Sequence, residues 1–337
     1  MIAGLRCFLL SCAFVFPNLS GLVAGEDIER FYRGKTVSLI IASGEGGGYD
    51  IAARLVAEHL PRHIPGRPTI VPQNMPGASG VRAADYLFNL APRDGSVLSV
   101  PQPSILFNKL ADPAMRFEPE KYVWIGRLSG LKTYGIAWKG GVDTIEAMRA
   151  KEFTIAAAQG AGTGAIVSAA LTQLAGLKLK VVKGYKSVSE SALALERGEV
   201  QGISSASLEF LDSKGWVKDG PISILYVVGM SRNTRLPDVP TIIELAANPE
   251  AVETMKIVAV SSEIGRSLVA PPGIGDRGKV LRDAFDRLIK DPVFLADAHR
   301  RNVEIEPASG RDLQQWVGAA MQASSLTIEK ARRLFVQ

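Results

Sequence analysis

The chain has 337 residues, 47% hydrophobic and 22% charged, with a formal net charge of +5 spread along its length. That is ordinary globular composition with room for two domains, and it lacks the basic blocks and basic-aromatic interleaving of a nucleic-acid binder. Cys7 and Cys12 are the only cysteines and both lie in the first 25 residues, so the rest of the chain has neither disulfides nor cysteine metal ligands.

Residues 1–25 stand apart. Arg6 is their only charge, residues 7–16 form an apolar core too short to span a bilayer, and Val23-Ala24-Gly25 offers small residues for cleavage before Glu26. This is the pattern of a secretory signal peptide rather than a membrane anchor. Lipoprotein-type cleavage at Cys12 would leave too short an apolar core. An exported chain with a cysteine-free mature part suits a bacterial periplasm.

The next stretch organises the rest. Residues 37–42 are a short apolar run rich in β-branched side chains, which favours a buried strand. Gly44, Gly46, Gly47 and Gly48 follow, and from Ile51 the apolar residues Leu55, Val56 and Leu60 recur at helical spacing. A strand, a glycine-rich turn and a helix leave backbone N–H groups bare at the positive end of a helix dipole, which is a ready place for an anion. A tight turn with no ligand is the bland alternative.

The pattern then repeats with variations. A strand from Thr69 leads into Gln73-Asn74-Met75-Pro76-Gly77-Ala78-Ser79-Gly80 and a helix over 81–90. A strand over 96–100 ends at Pro101-Gln102-Pro103-Ser104, where another helix begins. Strands are expected at 122–125, 134–138, 153–158, 179–182, 200–203, 224–228, 255–261 and 268–270. Helices are expected from Thr144, with Asp143 as a possible cap, and over 165–174, 189–197, 292–300 and 312–335, with an apolar face from Val280 to Ile289. Strand and helix alternate from Thr36 to Ile203, so the reading is an α/β protein with mainly parallel sheets.

Other motifs dissolve on inspection. Gly160-Ala161-Gly162-Thr163-Gly164-Ala165 fits a dinucleotide fingerprint, but the next strand ends in Lys183 where the ribose needs an acid. The stretch still makes sense as another anion cradle, with Thr163 supplying a hydroxyl. His59 and His63 are four apart with Pro61 between them, which breaks the helix a metal pair would need, so they read as surface histidines. There is no G-x-S-x-G elbow. Ser204, Ser205 and Ser207 read either as pocket hydroxyls or as a plain polar loop end.

Taken in order, these pieces resemble the periplasmic solute receptors of tripartite tricarboxylate transporters, the Bug family. The stretch from Gly46 through Asp50 to Leu55 is similar to the family's G-G-G-x-D-x-x-A-R. Residues 73–80 look like its E-N-x-P-G-A-x-G turn, and Ala91-Pro92-Arg93-Asp94-Gly95 like A-x-P-D-G. Gly162-Thr163 falls in the region of its G-x-G-T/S turn. Leu236-Pro237-Asp238-Val239-Pro240-Thr241 is close to L-P-D-V-P-T, and residues 268–273 resemble L-V-A-P-x-G.

The resemblance implies a type II-like two-domain periplasmic binding protein with a ligand cleft between the domains. Domain 1 would comprise 26–130 and 255–337, and domain 2 would comprise 131–254. In the family, the two glycine-rich turns of domain 1 hold one carboxylate, partly through water, and the turn near Gly160 reaches it from domain 2. The expected ligand residues are Ser43, Glu45, Gly46, Gly47, Gly48, Tyr49, Ala78, Ser79, Ser104, Gln159, Gly160, Thr163, Tyr185, Ser204 and Ser205. Glu45 departs from the family's Pro-Phe-x-x-Gly lead-in and would repel a second anion unless turned outward. Ser204 to Ser207 lack the Asp or Asn often found there, which makes an amino-acid ligand less suitable. Residues 262–267 read as an insertion that lengthens the return crossing.

The expected function is capture of a small organic carboxylate and its delivery to a membrane permease, by a monomer with no enzyme activity, cofactor or metal. A ligand-sensing subunit of a signalling system and an exported hydrolase are the alternatives.

Overall fold

The computed structural model describes residues 28–158, 163–185 and 187–335. The expected signal peptide, Gln159 and Gly160 lie outside them. The chain opens with β1 (Thr36–Ile41), α1 (Gly48–His59), β2 (Thr69–Asn74), α2 (Val81–Asn89), β3 (Val97–Val100), α3 (Ser104–Ala111) and β4 (Val123–Arg127). It continues through β5 (Thr133–Trp138), α4 (Ile145–Ala150), β6 (Phe153–Ala158), α5 (Thr163–Ala175), β7 (Leu179–Tyr185), α6 (Val188–Glu196), β8 (Gly202–Ser207), α7 (Leu208–Ser213) and β9 (Ile222–Val228). It ends with α8 (Pro249–Ile264), β10 (Ser267–Ala270), α9 (Asp276–Leu288), α10 (Pro292–Arg300), β11 (Ala308–Ser309), α11 (Gly310–Met321) and α12 (Ser325–Phe335).

The strands form two sheets, one ordered β11-β4-β10-β3-β1-β2 and the other β7-β6-β8-β5-β9. The expectation of mainly parallel sheets is corrected: β1 runs parallel to β2 and β3, and β6 to β7 and β8, but β10, β11 and β5 pair antiparallel. The reason is the path of the chain. Each sheet takes in, next to its three parallel strands, the strand with which the chain arrives from the other sheet, β5 in one case and β10 in the other. Both faces of both sheets are covered by apolar packing, so strands such as Leu39-Ile40-Ile41 read as continuous hydrophobic runs.

The two crossings lie side by side. The amide of Leu128 donates to the carbonyl of Arg266 at 3.0 Å, that of Arg266 to Ser129 at 2.9 Å, and that of Leu131 to Ser262 at 2.8 Å. Gly265 has φ 43°, and a Cβ there would collide with the carbonyl oxygen of Ser129. Only glycine allows this approach.

Residues 255–261, expected as a strand, belong to α8. Pro249 sits in its first turn and the Asn248 side chain caps it, accepting from the Ala251 amide at 2.9 Å. Every residue from 257 to 264 is buried. A helix buried on all sides shows no apolar stripe, so its β-branched run imitates a strand. Met255, Val258 and Ala259 enter the core of the second sheet, while Val260 and Ile264 enter that of the first. Residues 262–264 are thus the end of this helix rather than inserted loop.

Smaller differences have local causes. The cap of α4 is Thr144, whose hydroxyl accepts from the Ala147 amide, and not Asp143. The tail splits into α11 and α12 because Ser324 recaps the chain, its hydroxyl accepting from the Thr327 amide at 3.1 Å. No helix among the described residues is long and apolar enough to cross a membrane.

Candidate functional site

Ile41 pairs with both Asn74 and Val100, so β1, β2 and β3 end together. Open α/β sheets place ligands outside the carboxyl ends of their parallel strands. Both glycine-rich turns of the first sheet lie at this edge, and a network of side chains joins them. Asp50, buried in the first turn of α1, accepts at Oδ2 from the Gly46 amide and from Arg54 Nε, each at 2.9 Å. Asn74 Nδ2 donates to Asp50 Oδ1 at 2.8 Å and to the Ser43 carbonyl at 3.0 Å, and Arg54 Nη2 donates to Asn74 Oδ1 at 2.9 Å. The Arg54 bond, with help from Gly46 and Asn74, draws the Asp50 carboxyl down to about 2 against the opposing effect of burial.

The second turn is strained. Gly77, Ala78, Ser79 and Gly80 have φ of 135°, 45°, 50° and 87° in succession. Ala78 and Ser79 each bear a left-handed conformation that costs a side-chain-bearing residue about 1–2 kcal/mol. The turn is held by the Gly80 amide on the Gly77 carbonyl at 3.0 Å and by Ser104 Oγ, which donates to the Ser79 carbonyl at 2.8 Å. Ser104 therefore shapes the turn.

The helices that begin at this edge are uncapped. Gly47 before α1, Gly77 before the short turn over 78–80, Gly80 before α2 and Pro103 before α3 supply no side-chain cap. Seven other helices are capped, by Thr144, Ser187, Ser207, Asn248, Asp291, Ser309 and Ser324. α9, preceded by Gly275 away from this edge, is also uncapped. Ser43 and Tyr49 add buried hydroxyls without hydrogen-bond partners among the described residues. Burial pushes the Tyr49 hydroxyl far above its ordinary range, with nearby Arg266 pulling the other way, so it stays a donor.

The structure brings Ser43, Gly46, Gly47, Gly48 and Tyr49 together with Ala78, Ser79 and Ser104. Glu45 is exposed, within the field of Arg54. On the second sheet, a Cβ at Gly164 would stand 2.7 Å from Ser204 Oγ and 3.4 Å from the Ser205 Cβ, so the start of α5 rests on the end of β8. Ser204 is buried and its hydroxyl is committed to the Ala156 carbonyl at 3.1 Å, a sheet role rather than a lining one. Ser205 is half-buried beside it. Tyr185 pairs with Ala158 and packs against the core that contains Ile136 and Ile203. Thr163 opens α5.

Arg266 was missed from sequence. It immediately precedes β10, and a Cβ on Gly48 would lie 3.1 Å from its Nη2. Its Nη1 donates to Ser129 Oγ at 2.9 Å, and its Nε is buried without a partner. A lone arginine before the apolar strand Ser267-Leu268-Val269-Ala270 was the only available signal. Arg266 also borders a hollow between the sheets lined by Lys132, Tyr134, Glu209, Asn233 and Glu304.

The model of the tripartite tricarboxylate transporter family receptor matches residues 143–332. A protein of Cupriavidus necator, described as the UPF0065 protein in gbd 5'region, is 25% identical over 95% of this chain and 94% of its own. Among solved structures, a TctC solute-binding protein from Polaromonas overlays with a TM-score of 0.70 at 19% identity, covering 90% of this chain and 98% of its own. An R. palustris protein solved with adipate overlays at 0.57 with 22% identity, over 90% and 97%. MatC from Rhodopseudomonas palustris, solved with malate, overlays at 0.53 with 18% identity, over 89% and 99%. The family match covers more than half of this two-domain α/β chain, which therefore belongs to the tripartite tricarboxylate transporter receptors, periplasmic solute-binding proteins that are receptors and not enzymes.

Proposed function

We propose that this receptor captures a small organic carboxylate on the uncapped turns over 43–49 and 77–80, closes around it by bending at the two crossings, and delivers it as a monomer to a tripartite tricarboxylate-type membrane permease. The observation that carries this reading is the contrast in capping. Most α-helices elsewhere satisfy a first-turn amide with a capping side chain, α9 being an exception, whereas none of those at the shared strand edge does, which leaves their amides for something else. Strain at Ala78 and Ser79, in a turn fixed by Ser104, supports it, because such strain persists where the surroundings enforce it. The similar structures solved with adipate and malate support a carboxylate as the ligand class.

A thermal-shift panel of malate, adipate and monocarboxylates tests it. A true ligand at about 100 times its dissociation constant stabilises by about 2.7 kcal/mol. No shift with any carboxylate would overturn the reading. In Ala78→Asp the added carboxylate should abolish the shift while leaving the protein folded.

A further inference from the structure

Two arginines stand at the hinge and their surroundings differ. Arg127, 4% exposed, donates through Nη1 to Glu263 Oε2 at 2.5 Å and to the Glu263 carbonyl at 2.9 Å, and through Nη2 to the Glu306 carbonyl at 3.2 Å. Arg266 is half-buried and forms no ion pair among the described residues. Its guanidinium has one hydrogen bond, to a neutral hydroxyl; its Nε, like that of Arg127, is shut off from solvent without a partner among the described residues, so the two arginines differ in ion pairing and not at Nε. A guanidinium carries five donors and a permanent charge, and burying such a group without a counter-charge is costly. Glu209 and Glu304 feel Arg266 only from beyond ion-pair distance and are engaged with one another, and Glu306 is taken by Lys132 at 2.8 Å.

The guanidinium lies against the first residue of α1, where the helix is uncapped and where the hydroxyls of Ser43 and Tyr49 also lack partners. Ser43 and Tyr49 flank the uncapped start of α1 in sequence, and Arg266 lies against its first residue. The guanidinium can only donate and both hydroxyls can donate, so one acceptor would satisfy all three, and the fixed charge favours an anion.

We propose that Arg266 is a specificity-determining residue: its guanidinium receives the same ligand carboxylate as the first turn of α1 and supplies the full counter-charge that backbone amides lack. This rests on the carboxylate-receptor reading and sharpens it. Amides alone accept a carboxylate or a neutral carbonyl with modest preference. A guanidinium beside them makes the site discriminate against the neutral isostere.

The test uses the mature protein with malate, adipate and adipamide as calorimetric probes. Arg266→Gln should weaken malate and adipate binding about 10- to 100-fold, with Arg266→Lys in between, and should collapse the preference for adipate over adipamide. The melting temperature without ligand should not fall, since an unpaired charge has been removed. Ser129→Ala, which deletes only the hinge hydroxyl, should keep affinity within about threefold, because the guanidinium remains. Unchanged affinity and preference in Arg266→Gln would overturn the assignment, as would an equal loss in Ser129→Ala. Failure of the unmodified protein to bind any carboxylate would overturn the receptor reading and this inference together.

Discussion

The two ends of α1 are finished in opposite ways. At the C-terminal end His59 is 3% exposed, its Nε2 meets Asp297 Oδ2 at 2.8 Å, and its Nδ1 accepts from Arg62 Nη2 at 3.0 Å. Asp297 also accepts from Arg300 and Arg301, Arg301 reaches Glu58 at 2.6 Å, and His63 Nε2 meets Asp291 Oδ2 at 3.1 Å. At the N-terminal end Gly47 offers no cap, and among the described residues Ser43 and Tyr49 hold hydroxyls without partners and Arg266 forms no ion pair. One helix in one core carries both, so overall packing quality does not explain the difference. The saturated end joins α1 to α10, and the unsaturated end is where the proposed carboxylate would be received. Native structures satisfy most buried polar groups, so the exceptions at Ser43, Tyr49 and Arg266 call for a reason.

The largest expected effect is at the saturated end. Asp297→Ala leaves His59, Arg300 and Arg301 without their shared acceptor, so urea unfolding should show a loss of about 3 kcal/mol. Ligand affinity of the folded protein should stay put. A large loss of affinity would mean that the two ends are coupled and the comparison is false. Glu58, His59 and Asp297 have ligand atoms within 4.8 Å of one another, close enough to hold an ion, but Arg300 and Arg301 already engage the carboxylates.

Asp50 comes next, and here stability and binding should both move. Its folded carboxyl titrates at about 2 against the ordinary 3.8, so the unfolded chain takes up the proton first. Its contribution is therefore complete above the unfolded value and lost as pH falls through about 2. Asp50→Asn should lose about 1–2 kcal/mol at neutral pH and flatten the acid limb between pH 4 and 2. It should also weaken binding, because the amide keeps only one of the two acceptor oxygens, and either Gly46 with Arg54 or Asn74 loses its partner. An unchanged acid limb would count against this account.

Deletions of similar size should then separate the two kinds of helix start. Thr144→Ala removes a cap and should cost about 1 kcal/mol without touching affinity. Tyr49→Phe removes a hydroxyl with no partner and should cost nothing, or gain up to about 1 kcal/mol, while weakening the ligand. A Tyr49→Phe protein that is destabilised yet binds normally would show that the hydroxyl serves the fold.

These contrasts also mark what the sequence could convey. The turns at 44–48 and 76–80 were legible because glycine and proline next to a strand leave few conformations open. The order of the motifs carried the family. The tasks of Asp50, Asn74 and Arg54 were not legible, since their mutual bonds form only when β1 and β2 lie in register. His59 looked like a surface residue because its partner lies 238 positions away. Arg266 was invisible for the same reason: its place beside Gly48 exists only after the second crossing returns the chain to the first sheet.

The smallest expected effect concerns the hollow beside Arg266. Glu304 follows α10, and Glu209 lies on α7 against the second sheet, so this carboxyl pair spans the two halves. Burial first, then Glu209 and Glu306, push the Glu304 carboxyl up to about 7, with Arg266 opposing. Glu209 moves down, because its bond to Glu304 and other hydrogen bonds outweigh its burial. The folded chain thus holds a proton on the pair more tightly than the unfolded chain does. The resulting stabilisation is full below the ordinary glutamate value and disappears as pH rises through about 7. Glu304 is exposed over much of its surface, so solvent screening keeps the effect small. Glu304→Gln fixes the neutral form. Its melting temperature should match the unmodified protein near pH 5 and exceed it slightly at pH 8, where the ionised Glu304 would face Glu209 and Glu306. An advantage that is the same at both pH values would mean that the pair does not titrate as a unit, and that the hollow responds to packing rather than to charge.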